Sequence, residues 1–138
     1  MDSHAALVAA NAAFYDAFDR RDLAAMDSLW AGRPGDVCIH PGWEICRGPE
    51  VHVSWARLFS NGQALRFHVG EVAAEVIGDA GRVSCVENIW SPDGRVLLGR
   101  VASTNLFVRE DAAWLLVLHH GSPIAGKGVE RPRDDAAN

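Results

Sequence analysis

The chain has 138 residues, 49% of them hydrophobic and 22% charged, with a formal net charge of -5 and a pI near 5.6. That length allows one domain with one sizeable core, and the composition is ordinary for a globular protein. The acidic balance argues against nucleic acid or an anionic membrane surface as the main partner.

From the N-terminus, residues 3–20 read as a helix. Leu7, Ala10, Phe14 and Ala17/Phe18 recur at helical spacing, and Asp2 or Ser3 can cap the start. Asp22 reads as a second N-cap, followed by Leu23, Met26 and Leu29/Trp30 on one face. Gly32, Pro34 and Gly35 stop that helix. Val37–His40 reads as a short strand broken by Pro41-Gly42, with Trp43–Cys46 continuing it after the turn. Gly48-Pro49 suits the start of a third helix, which carries Val51, Trp55, Leu58 and Phe59.

From residue 65 the period becomes that of strands. Leu65, Phe67 and Val69 alternate in one phase, and Val72, Ala74 and Val76 in the other. The slip falls at Gly70-Glu71, as a β-bulge would cause. Val83–Trp90, Val96–Arg109 and Ala113–His120 follow, separated by turns at Gly78–Gly81, Pro92–Gly94 and Glu110-Asp111. Helices first and hairpins later predict an α+β fold, with helices on one face of an antiparallel sheet. The domain is expected over residues 1–123. The tail 124–138, charged and containing Gly, Pro and Ala, is expected to fray.

Three cysteines, Cys38, Cys46 and Cys85, with no CxxC pair do not form a disulfide framework. The start MDSHAALVAANAAF lacks the basic region of a secretory signal, and Asp16 and Asp19 follow closely. No apolar run reaches the length of a membrane span. The expectation is a reduced, cytoplasmic protein.

Polar residues inside apolar strands carry the chemical information, because burying them costs free energy unless they are paired. His40 ends the first strand. Glu87 is in phase with Val83, Cys85 and Ile89, and Asn105 with Val101 and Phe107. His120 is in phase with Trp114, Leu116 and Leu118, while His119 shares the other face with Leu115 and Val117. If these phases all face inward, His40, Glu87, Asn105 and His120 meet over a cavity, with Trp43 and Trp55 as candidate walls. The chemistry on offer is acid–base. Histidine exchanges protons near neutrality, a glutamate in an apolar pocket has a raised pKa, and an asparagine amide can donate to a developing enolate oxygen. A metal is the competing use of His40, His119, His120 and Glu87. It is not expected, since no HxH or HxxxH pair exists and adjacent strand histidines point to opposite faces. GxSxG and GxGxxG motifs are absent.

Residues 5–123 resemble the nuclear transport factor 2-like superfamily, and within it the SnoaL-like domains. The segments AFYDAFDRRDLAAMDSLWA, CIHPGWEICRG and WLLVLHHGSP carry the resemblance by their order and spacing. It implies a cystatin-like cone: three N-terminal helices wrapped by a curved sheet, with a pocket at the open end. It also implies, commonly, a homodimer built on the sheet's outer face. The superfamily includes ketosteroid isomerase, scytalone dehydratase, polyketide cyclases and non-catalytic assembly domains, so the activity must come from the site.

Against the ketosteroid isomerase pattern, CIHPGW resembles the strand bearing the aspartate base and puts His40 there. VASTNLF resembles the strand bearing the protonated aspartate of the oxyanion hole and puts Asn105 there. The oxyanion tyrosine would fall on Phe14, with Tyr15 one residue on and facing elsewhere. The last strand also resembles the association (hub) domain of calcium/calmodulin-dependent protein kinase, through Trp114, His120, Ser122 and Pro123. The expected function is therefore a small-molecule pocket, serving a cofactor-independent isomerase, cyclase or dehydratase. In it His40 is the base, Asn105 the oxyanion donor, and Glu87 with His120 a second polar pair. Phe14, Tyr15, Trp43 and Trp55 are expected around the ligand. The alternative is a dimeric binding or assembly domain without turnover.

Overall fold

The structure, a computed structural model, describes residues 2–62 and 64–126. Helix α1 spans Ser3–Arg20, and Asp2 caps it by accepting the Ala5 N–H at 2.7 Å. It stops at Arg21, which turns into the left-handed region at φ 56 and returns its N–H to the last carbonyls of the helix. Helix α2 (Leu23–Leu29) begins on Asp22, whose carboxylate accepts the Ala25 N–H at 3.0 Å. Strand β1 (Val37–Ile39), strand β2 (Cys46–Arg47) and helix α3 (Pro49–Ser60) follow, with proline opening α3 where a missing N–H costs nothing. Both caps and the proline start stand where the sequence puts them. The strand expected over Trp43–Cys46 is shorter and later. Pro41-Gly42 makes a turn closed by the Trp43 N–H on the His40 carbonyl, 2.9 Å, and pairing resumes only at Cys46.

Strands β3 (Arg66–Ile77), β4 (Ala80–Trp90), β5 (Leu97–Glu110) and β6 (Ala113–Pro123) form a meander. The six-stranded sheet runs β2-β1-β6-β5-β4-β3, curves without closing, and carries the three helices. It is antiparallel except for β1, which runs parallel to β6. The core joins Leu7, Phe14 and Phe18 of α1 and Trp55 of α3 to Val83, Phe107 and Leu116 of the sheet. Gly81 admits α1 closely, since a Cβ there would stand 2.7 Å from Leu7 Cδ1.

Two bulges set which residues face this core. In β3 the register shifts between Gly70 and Ala73, with Glu71 at φ 52, as the phase slip predicts. In β6 Leu106 pairs with Leu118 but Phe107 pairs with Leu116, so Val117 is the extra residue. Trp114 and Leu116 face inward before the bulge, and His119 and Gly121 after it. The expectation that His120 shares the inward face is thereby corrected: His120 is exposed and His119 is 1% exposed. At the end of the sheet, Ile124 still donates to the Arg100 carbonyl at 2.9 Å. The rest of the expected tail, from residue 127, lies outside the described residues. No helix of the described residues is long and apolar enough to cross a membrane.

Candidate functional site

Three neighbouring inward positions, one on β4 and two on β5, bring polar groups under α1. Glu87, Ser103 and Asn105 are buried, and Asn11 and Tyr15 descend on them from the helix. The Tyr15 hydroxyl donates to Glu87 Oε2 at 2.7 Å, and the Ser103 hydroxyl donates to the same oxygen at 2.6 Å. The Asn105 amide donates to Asn11 Oδ1 at 2.9 Å and to the Tyr15 oxygen at 3.2 Å. Its carbonyl oxygen then accepts from His119 Nδ1 at 2.6 Å, which assigns the proton of the neutral ring to Nδ1. His119 Nε2 stands 3.9 Å from Glu87 Oε2. Burial drives this cluster toward neutrality. It holds Glu87 above the ordinary carboxylate range, against the pull of its two hydroxyl donors. It also pushes His119 down to about 3 and raises the Tyr15 phenol, which the nearby Glu87 raises further.

His40 and His119 both pack against the Trp55 ring, with their own ring centroids 6.2 Å apart. Strand alternation carries Cys38 and His40 inward together, and the parallel register sets Cys38 beside His119. Ser54 donates to the Val51 carbonyl at 2.7 Å, so it accepts from His40 Nε2 at 3.0 Å. That leaves Nδ1 as the unprotonated nitrogen of the neutral ring. Burial lowers the His40 pKa to about 4.

A cavity of about 350 Å³ opens between the C-terminal ends of α1 and α3 and strands β3 and β4. His40 and Glu87 both line it, together with Trp43, Phe18, Phe59 and Phe67, and Arg21 stands at its edge. Arg21 is tied there to the Phe59 and Asn61 carbonyls. Of the expected site residues, His40, Glu87 and Trp43 therefore meet at one cavity. Tyr15 does not face elsewhere; it holds Glu87. Asn105 is fully buried behind the cavity with both amide hydrogens engaged, which corrects the expectation that it donates to an oxyanion. Phe14 and Trp55, both at 0% exposure, fill the deep part of the cone as packed core. His120 lies on the outer face, beside Thr104 and Ser122.

Four members of this arrangement escape the sequence reading. His119 is hidden by the bulge. Asn11 occupies a stripe position of α1 between Leu7 and Phe14, where a polar residue is itself a signal. Ser103 is in phase with Asn105, and Ser54 falls between Val51 and Trp55 on the inward face of α3. Among the described residues no group of three His, Cys, Asp or Glu side chains could share a metal ion.

Comparison with known proteins places this architecture. Residues 7–126 match the SnoaL-like domain family. The chain belongs to that family. Among solved structures, a candidate dehydratase of the nuclear transport factor 2-like family from Streptomyces avermitilis is 35% identical, at a TM-score of 0.79. The match covers 89% of this chain and 96% of that one. A candidate calcium/calmodulin-dependent protein kinase type II association domain from Thiobacillus denitrificans is 32% identical, at a TM-score of 0.79, over 84% of this chain and 93% of that one. A ketosteroid isomerase-like protein from Erwinia carotovora atroseptica shares the fold at 20% identity and a TM-score of 0.67, over 91% of this chain and 98% of that one. No curated protein matches the chain. In this SnoaL-like domain the polar interior is thus divided: a buried pair that lines the cavity, His40 and Glu87, and a sealed network behind Glu87.

Proposed function

We propose that this SnoaL-like domain binds a small organic carbonyl or hydroxy compound between α1, α3, β3 and β4 and moves protons on it, as a cofactor-independent isomerase, cyclase or dehydratase. The observation that carries this reading is that His40 and Glu87, buried and of opposite proton-transfer capacity, line the same cavity. His40 is neutral near pH 7 and offers Nδ1 as the base. Glu87, kept toward its protonated form by burial, is the acid. Tyr15 and Ser103 both donate to Oε2, which leaves Oε1 to carry the transferable proton. In an elimination, His40 takes the proton from the carbon beside a carbonyl. Glu87 gives its proton to the departing hydroxyl, a carbon–carbon double bond forms, and water leaves. In an isomerisation the same acid protonates the carbonyl oxygen to an enol. Transfer leaves an imidazolium and a carboxylate lining the same cavity, where their charges stabilise each other. The 35% identical dehydratase candidate supports this class of reaction.

The test is base-catalysed exchange of carbon-bound hydrogen in D₂O, followed by proton NMR over a panel of cyclic ketones and β-hydroxy ketones. The wild type is expected to accelerate exchange on at least one compound. His40→Ala is expected to abolish at least about 100-fold of it with the amide spectrum otherwise intact. Exchange unchanged in that variant overturns the assignment of the base.

A second reading rests on the 32% identical association domain and on exposed apolar residues, Val72 and Leu98 of the sheet at 45% and 49% exposure and Val96 of the turn before β5 at 55%. It is a homodimeric binding or assembly domain without turnover. A dimer in sedimentation equilibrium, with ligand binding but no exchange on any compound, favours it.

A further inference from the structure

Strand β2 folds back on β1 after the Pro41-Gly42 turn, and the antiparallel register sets Cys38 directly opposite Cys46. An antiparallel pair holds its two Cα atoms about 4.5–5.5 Å apart, within the span of about 4.4–6.8 Å that a disulfide bridges. Directly opposed residues also project to the same face of the sheet. Cys38 is fully buried on that face, and Cys46, partly exposed, packs against the same core. Both are free thiols, as is Cys85.

Neither sulfur of the pair is strongly held. Cys38 Sγ stands 3.5 Å from His40 Nε2, and Cys46 Sγ stands 3.7 Å from the Glu44 carbonyl oxygen. Thiols are weak donors and weak acceptors, so turning the two side chains toward each other gives up little. The two differ in access. Burial pushes the Cys38 thiol well above its ordinary range, and the neighbouring Cys46 adds to that. Cys38 by itself is therefore an inert, sheltered thiol. Cys46 lies on the two-residue edge strand, and is the sulfur that a small oxidant meets first. Cys85 has no cysteine opposite it: Ser103 faces it across β5, and its thiol donates to the Tyr15 hydroxyl at 3.4 Å.

We infer that Cys38 and Cys46 are a reversible redox pair, closed by peroxide, whose disulfide locks the turn that carries His40 and Trp43 to the cavity. The Cys46 sulfur attacks one oxygen of hydrogen peroxide. The O–O bond breaks, a sulfenic acid forms, and water leaves with the thiol proton. The Cys38 sulfur then attacks the Cys46 sulfur. The S–O bond breaks, the S–S bond forms, and a second water leaves with the Cys38 proton. Two thiols together lose two electrons, and one peroxide gains them. The bond closes residues 38–46 around His40, Pro41 and Trp43, all three in the wall of the cavity. It spans the turn in which the Trp43 N–H donates to the His40 carbonyl at 2.9 Å. The inference does not rest on the proton-transfer reading, since it needs only that this turn borders the cavity.

The experiment treats the full, reduced chain with an equimolar amount of hydrogen peroxide under native conditions. Thiols titrated after unfolding are expected to fall from three to one, and dithiothreitol is expected to restore all three. Cleavage after Glu44 and Arg47 parts the two cysteines in the chain, so the fragment 45–47 is expected to stay joined to the Cys38 fragment until reduction. Cys46→Ser is expected to lose thiols at least about tenfold more slowly, and Cys85→Ser to form the bond as the wild type does. In the oxidised chain, amide exchange at Trp43 is expected to slow several-fold. The fragment map of the wild type decides even where a variant does not fold. A sulfinic acid on Cys46 with Cys38 still a thiol, a bond between two chains, or three thiols surviving excess peroxide overturns the inference. Thiol loss as fast in Cys46→Ser as in the wild type overturns it as well, and Trp43 exchange unchanged by oxidation overturns the lock.

Discussion

Asn105 binds three elements of the site into one unit. Its side chain reaches Asn11 and Tyr15 of α1 and His119 of β6 from its own place on β5. Removing it leaves three buried groups short of a partner and opens a cavity. Asn105→Ala is therefore expected to cost about 2–4 kcal/mol in urea unfolding. Glu87 responds differently, because its role is chemical as well as structural. Glu87→Gln keeps an oxygen for the Tyr15 and Ser103 hydroxyls, so the fold is expected to survive in the amide spectrum. It has no acidic proton, so hydrogen exchange on a ketone that needs the acid should fall by about 100-fold or more. Tyr15→Phe separates support from chemistry. Losing a donor to the carboxylate raises the Glu87 pKa further, and the basic limb of a pH–rate profile should move to higher pH.

At the scale of elements, close approach and register matter more than composition. Helix α1 lies on β4 because Gly81 has no side chain under Leu7, which is itself fully buried. Gly81→Ala pushes a methyl into Leu7 and is expected to cost about 1–3 kcal/mol, read as a lower urea midpoint at unchanged slope. The bulge at Val117 does more for the site than any helix. Without the extra residue, strict alternation would turn His120 inward and put His119 outside. Nothing in the run Leu115–Leu118 announces it, since all four residues are apolar and either phase satisfies the pattern. The β3 bulge was legible because the residues around Gly70-Glu71 are polar on one side and apolar on the other.

For the whole molecule, the buried titratable groups tie stability to pH. His40 and His119 have folded pKa values of about 4 and about 3, against 6.5 for an exposed histidine. Between pH 6.5 and those values the unfolded chain binds two protons that the folded chain refuses, so stability falls as pH falls. Glu87 works in the opposite direction. Its raised folded pKa makes the native state the better proton binder above 4.5, and offsets at most one of those two protons. Asp36, also raised by burial, works the same way as Glu87, but the Arg33 and Gly32 N–H groups on its carboxylate pull it back, so the net sign stays with the histidines. Unfolding free energy is expected to drop by roughly 2 kcal/mol from pH 6.5 to pH 4.5. A urea midpoint that rises or stays level over that window would show that the histidines are charged in the fold.

The sequence by itself determined the helices with their caps at Asp2 and Asp22, the proline start of α3, the meander, and thereby the fold class. These follow from local chemistry, a carboxylate near free N–H groups or a period of two, that needs no distant partner. It also picked out His40 and Glu87, because a polar residue at an inward phase must be satisfied or used. Only the tertiary structure decided the rest. A one-residue bulge chose His119 over His120. Packing against α1 turned Tyr15 from a bystander into the support of Glu87 and sealed Asn105 away from solvent. The filling of the deep cone by Phe14 and Trp55 left a shallower cavity at its edge. Which polar groups reach solvent depends on the shapes of side chains that meet only in the folded chain, and no periodicity records those shapes.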